Sequence, residues 1–250
     1  MEMINFFEEN NAGILTLNRP EKRNALHPKM VNEIINQLDI IEKDDNIKFL
    51  IITGEGKSFC AGADLAYLND LRNYSSTENE KDSEDLAELF MRIYKFTKPT
   101  IAAVNGAAIA GGCGLASVCD FIIADNVNSK FGYSEVKIGF IPAIVSIFLI
   151  KKVGEGFAKR LLLTGEIIDA KKAFDLGLAD YLADDALAEA KNLAEKMINN
   201  SSFSMQTTKK MIQSISNLDV QQAVDYCIKL NTISRSTDDF KNGLNNFLKK

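Results

Sequence analysis

The chain has 250 residues, 46% of them apolar and 25% charged, with a net charge of −5. These values are ordinary for a globular protein and exclude a collagen-like, largely disordered or disulfide-scaffold chain; the length fits one large domain, or a domain with an appendage. The acidic balance argues against a general nucleic-acid binder but leaves room for a small anionic ligand held by a few cations and backbone amides.

In chain order, Met1-Glu2-Met3-Ile4-Asn5 shows no cationic stretch followed by an apolar one, so no secretory leader is expected. Ile14–Leu17 reads as a short strand stopped at Arg19-Pro20, and Lys29–Glu42 carries apolar residues at helical spacing. Phe49–Thr53 reads as a buried strand ending at Gly54. Asn69–Asp85 is the most polar stretch, within which Tyr74–Glu80 is expected to be a mobile surface loop, with a helix over Leu86–Phe96. Thr100–Val104 and Phe121–Ala124 are further apolar strands. Strands of this kind between helices predict α/β layering with covered sheets. Beyond Lys152 the pattern turns helical, with helices expected over Phe157–Leu163, Ala170–Leu176, Ala186–Ile198, Ser204–Ile215, Val220–Leu230 and Thr237–Lys250. The longest apolar run, Ile138–Ile150, contains Pro142 and falls short of the ~20 residues that span a bilayer. Cys60, Cys113, Cys119 and Cys227 form no CxxC and the one histidine is His27, which predicts no zinc site and reduced thiols in a cytoplasmic protein.

Two glycine-bearing turns concentrate the chemistry. In Ser58-Phe59-Cys60-Ala61-Gly62-Ala63-Asp64-Leu65, small residues let a ligand approach the backbone, and Asp64 is placed to cap the next helix. Asn105–Ala116 leaves a strand and leads into an Ala-rich helix through Gly111-Gly112-Cys113-Gly114. Each glycine there costs roughly 1 kcal/mol of helix stability against Ala, which points to close packing or ligand approach.

These turns, together with Leu17-Asn18-Arg19-Pro20-Glu21-Lys22-Arg23-Asn24-Ala25-Leu26, Phe131-Gly132-Tyr133-Ser134-Glu135 and Ala173-Phe174-Asp175-Leu176-Gly177, make the chain similar to the crotonase (enoyl-CoA hydratase/isomerase) superfamily over nearly its whole length. The resemblance implies an α/β fold, the ClpP/crotonase spiral of β-β-α units. Residues 1–190 would be the core carrying the active site, and residues 191–250 a helical region for trimerisation and CoA cover. It implies an acyl-CoA thioester substrate, trimers or paired trimers, and no cofactor, coenzyme A being part of the substrate. By position, the N–H groups of Ala63 and Gly111 would form an oxyanion hole for the thioester enolate. Losing one such donor costs roughly 3 kcal/mol of barrier. CoA would lie near Lys22, Arg23, Ala25, Ala61, Asp64 and Leu65, with Gly114 and Pro142 on the substrate and Phe247 and Lys250 as C-terminal contacts.

Many hydratases of this family use two glutamates around one water. The second is present as Glu135, while the first position is Gly114, which has no side chain to hold a proton. Within the superfamily the Gly114 region and Ile141-Pro142-Ala143 look most like bacterial methylglutaconyl-CoA hydratase-like and isohexenylglutaconyl-CoA hydratase-like proteins. That similarity implies a branched acyl group with a distal carboxylate, for which Lys137 is a candidate partner if the segment is extended. The expected activity is hydration of an α,β-unsaturated acyl-CoA through Glu135. An enoyl-CoA isomerase, a thioesterase or decarboxylase, and a non-catalytic acyl-CoA binding module remain alternatives. His27 is expected to cap a helix, Asp120 to make a structural hydrogen bond, and Cys113 to be a buried small side chain. Neither a nucleic acid nor a membrane is an expected partner.

Overall fold

The computed structural model describes residues 2–248. Two sheets form. The larger runs β1 (Ile4–Glu9), β2 (Ala12–Leu17), β3 (Phe49–Gly54), β5 (Thr100–Val104), β7 (Phe121–Asp125) and β10 (Tyr181–Ala183), parallel except for the β1–β2 hairpin. The smaller runs β4 (Ser58–Cys60), β6 (Ala107–Ile109), β8 (Lys130–Gly132) and β9 (Ile167–Asp169), parallel as far as β8. Three consecutive strand pairs, β3–β4, β5–β6 and β7–β8, each place one strand in either sheet before a helix follows. This is the β-β-α spiral.

The large sheet is apolar because both of its faces are covered. Leu15, Leu17, Leu50, Ile52, Ala102 and Val104 point into the main core. Their neighbours of opposite parity, Ile14, Ile51, Ile101 and Ile123, pack with Ala190 and Leu193 of α7 (Ala186–Met197) in a second layer. Helices α1 (Pro28–Lys43), α2 (Leu65–Leu71), α3 (Ser76–Tyr94), α4 (Gly111–Ser117), α5 (Ala143–Thr164) and α6 (Ala170–Asp175) complete the spiral, and α8 (Ser202–Ile215), α9 (Val220–Ser236) and α10 (Asp238–Leu248) form the C-terminal region. No helix among the described residues is long and apolar enough to cross a membrane.

The structure corrects two expectations and decides a third that was conditional. The polar stretch before Leu86 is helical from Ser76, not a loop. The Ser75 hydroxyl accepts from the Glu78 amide while the Glu78 carboxylate accepts from the Ser75 amide, a capping box, and the Lys81–Asp85 ion pair supports the next turn. The turn after Asn105 does not pass straight into a helix, because β6 intervenes and joins the smaller sheet. The segment after Ser134 is a 3₁₀ turn over Glu135–Ile138 rather than extended, so Glu135 and Lys137 diverge. Lys137 is exposed and its aliphatic stem lies beside Gly165.

Candidate active site

Three chain segments converge at the ends of the parallel strands β4, β6 and β8. The first is the Ala61–Leu65 turn. Ala61 donates to the Arg23 carbonyl (3.0 Å), Leu26 donates to the Gly62 carbonyl (2.7 Å) and Asp64 donates to the Leu26 carbonyl (2.9 Å). This parallel bridge between Leu26 and Ala63 uses the Gly62 carbonyl and the Asp64 N–H on either side of Ala63 and leaves the Ala63 N–H facing away. Asp64 caps α2, accepting from Ala66 and Tyr67, and its other oxygen pairs with Arg19 at 2.8 Å. The Arg19 hydrogen bond, with help from the cap, holds the Asp64 carboxyl below the usual carboxylate range. The buried Asn24 fixes the preceding loop by donating to the Glu55 and Ser58 carbonyls. Asp64 is therefore a positioning residue here, and Arg19 and Asn24 join it in that role.

The second segment is the start of α4. Ala110 sits at φ 52°, ψ −124°, a conformation that disfavours an L side chain, and donates to the Gly132 carbonyl at 2.7 Å. The reversal puts the Gly111 amide at the first position of α4, where it has no intrahelical acceptor. Gly62 has φ +86°, and a Cβ there would lie 2.9 Å from Ala110 Cβ and 3.3 Å from the Gly111 nitrogen. The two turns thus touch across Gly62. Among the described residues neither the Ala63 nor the Gly111 amide has a protein acceptor. Gly112 is required because a Cβ would overlap the Cys60 carbonyl.

The third segment carries Glu135. Its side chain is 8% exposed and its Oε2 has no hydrogen-bond partner. Burial pushes its carboxyl above the ordinary glutamate range. A buried carboxyl with a raised pKa is suited to exchanging a proton with a substrate. Ala61, Ala63, Leu65, Gly111, Glu135 and Pro142 all line one cavity of about 740 Å³. Ala25, Asp64 and Gly114 lie outside its lining, as do the exposed Lys22 and Arg23, although the Arg23 carbonyl accepts from the lining residue Ala61. Lys250 and the Phe247 side chain lie outside the described residues.

Gly114 is buried, and a Cβ on it would overlap Val145 Cγ1 of α5. The volume that a larger residue would need is filled by Val145, which lines the cavity in its place. Val145 was not legible as a site residue, since it reads as one of many apolar residues in Ile144–Ile150. Cys60 and Cys113 are fully buried with thiols pushed up to about 12 by desolvation, and act as packing groups. His27 caps α1 by accepting from the Lys29 amide, and Asp120 holds the Thr100 amide and hydroxyl. No cluster of metal-ligating side chains occurs among the described residues.

Comparison with known proteins places the chain in a family. The profile of the enoyl-CoA hydratase/isomerase family matches residues 8–250. A Thermus thermophilus protein whose name places it provisionally among the enoyl-CoA hydratases is 41% identical over 97% of this chain and 96% of its own. The 2,3-dehydroadipyl-CoA hydratase of Escherichia coli is 34% identical over 95% of this chain and 92% of its own length. The crystal structure of an enoyl-CoA hydratase from Shewanella pealeana superposes with a TM-score of 0.94 at 31% identity, covering 99% of this chain and 93% of that one. The chain is a crotonase-fold enzyme and belongs to the enoyl-CoA hydratase/isomerase family.

Proposed function

We propose that the protein adds water across the double bond of an α,β-unsaturated acyl-CoA. The observation that carries this reading is the convergence, on one cavity, of the unpartnered Ala63 and Gly111 amides with a buried carboxylate whose Oε2 has no protein partner. In this mechanism Glu135 takes a proton from water as the water oxygen attacks the β carbon. The electron pair moves through the α carbon to the thioester oxygen, where the two amides stabilise the enolate. Protonated Glu135 then returns the proton to the α carbon. Coenzyme A is part of the substrate, and the scheme uses no further cofactor. Relatives whose names specify hydratase activity, including a crotonyl-CoA hydratase of Syntrophomonas wolfei, support the assignment.

A second reading, movement of a double bond from the β,γ to the α,β position, is favoured by one observation. Val145 fills the space beside Gly114, so Glu135 is the only buried carboxylate of the cavity lining among the described residues, and one mobile proton suffices for isomerisation. Incubation of 2-pentenoyl-CoA and 3-pentenoyl-CoA with the enzyme in D₂O separates the two by mass spectrometry. Hydration adds one water; isomerisation moves the double bond without it. Turnover of neither thioester, with both bound, overturns both readings.

We also propose self-association through the C-terminal region. Val220, Val224 and Ile228 form an exposed apolar stripe at four-residue spacing on α9, and Phe240 and Leu244 continue the exposed apolar surface on α10.

A further inference from the structure

One wall of the cavity is supplied by α3, and it is acidic. Glu78, Asp82 and Asp85 line it, joined by one cation, Lys81. Lys81 is held by Asp85 at 2.6 Å. The Tyr67 hydroxyl, which also lines the cavity, donates to Asp82 at 2.5 Å and so offers no hydrogen to a ligand anion. The Asn79 amide and the Ser83 hydroxyl are used on backbone carbonyls of Tyr74, Ser75 and Asn79. Lys137, the other basic candidate, lies beside Gly165 and outside the cavity. On the acyl-CoA reading the polyanionic coenzyme A moiety is repelled from this wall and is left to the stretch lined by Ala61, Ala63 and Leu65, which carries no acidic side chain. The α3 wall is then left to the acyl group. The rest of that surface is apolar, with Leu68, Leu71, Leu86 and Ile144 contributing.

We infer that Asp82 on α3, held by Tyr67 of α2, makes this active site select acyl groups without a distal charge and reject those ending in a carboxylate. The inference rests on the acyl-CoA reading above and reverses the expectation of a distal carboxylate. A second anion would meet half-buried Asp82 and Asp85, and Lys81, the one lysine of the lining among the described residues, is already paired with Asp85. Like charges facing each other across a partly desolvated cavity discriminate strongly.

The test compares isosteric pairs. Calorimetry with valeryl-CoA and glutaryl-CoA reads binding alone, and initial rates with 2-pentenoyl-CoA and glutaconyl-CoA read turnover. Wild type is expected to bind valeryl-CoA at least tenfold more tightly than glutaryl-CoA, with a gap that narrows at high salt. Asp82→Asn should close that gap at least threefold and Asp82→Lys further, with melting temperature retained. Glutaryl-CoA binding as tightly as valeryl-CoA in wild type overturns the inference, as does a ratio that neither variant moves. Binding of neither thioester overturns it as well. Discrimination in binding with no hydration of 2-pentenoyl-CoA keeps this inference and rejects only the hydratase reading.

Discussion

Glu135 couples catalysis to the cost of burying it. Its folded-state carboxyl titrates above the ordinary range, so the folded protein binds its proton more readily than the unfolded chain does. The stability it contributes is therefore present below the unfolded glutamate pKa and lost as pH rises through the raised value. Glu135→Gln is expected to melt above wild type at pH 8, by roughly 2–4 °C for each kcal/mol relieved, and to lose this advantage as pH falls through that window. The same raised value sets the acidic limb of kcat/KM, because the base must be ionised. Activity should fall on acidification at a pH above that typical of a free glutamate, and Glu135→Gln should lower kcat at least 10²-fold while sparing binding of a saturated acyl-CoA. Gly114 and Val145 form a second residue-scale pair. Gly114→Ala should cost about 1–3 kcal/mol by overpacking, and Val145→Ala in the same chain should recover part of that loss. Chemical denaturation of both single variants and the double variant gives the coupling, and strictly additive losses would show that the two residues do not share the space.

At the scale of elements, what the sequence made legible follows from burial on both faces. The strands Phe49–Gly54, Thr100–Val104 and Phe121–Asp125 are continuous apolar runs because cores lie on either side of the sheet. The strands of the smaller sheet were not legible, since three residues such as Lys130–Gly132 give no periodicity to read. Helix α3 was hidden for a different reason. Its first two turns bury nothing, and its start is specified by local capping rather than by an apolar stripe. Glu135, Ala63 and Gly111 were legible as positions in ordered motifs. That Glu135 is buried, and that Val145 stands over Gly114, required the 3₁₀ turn and the packing of α5. Ser75→Ala is expected to lower the stability of α3 by about 1 kcal/mol, through loss of the cap. Faster amide exchange confined to residues 75–82, with global stability nearly unchanged, is the expected readout.

At the scale of the whole molecule, the C-terminal helices are far more exposed than the core they follow, although α8 touches it through Met205 and the Lys209–Asp120 ion pair. No residue of α8 or α9 is buried, whereas α7 buries Ala186, Ala190, Leu193 and Ala194 against the sheet. Helices this open depend on partners for much of their stability. Sedimentation should show wild type as a multimer and the Val224→Glu, Ile228→Glu double variant as a smaller species that melts earlier. A wild-type monomer at micromolar concentration would remove that assignment. The spiral itself has a consequence for how such a site can change. Ala63, Gly111 and Glu135 each hang from the end of a separate rung, β4, β6 and β8, and the rungs are neighbours in one sheet. If Glu135 carries the proton as proposed, its rung can be rewritten while the other two keep their grip, which would let one scaffold trade reactions without relearning how to hold its ligand.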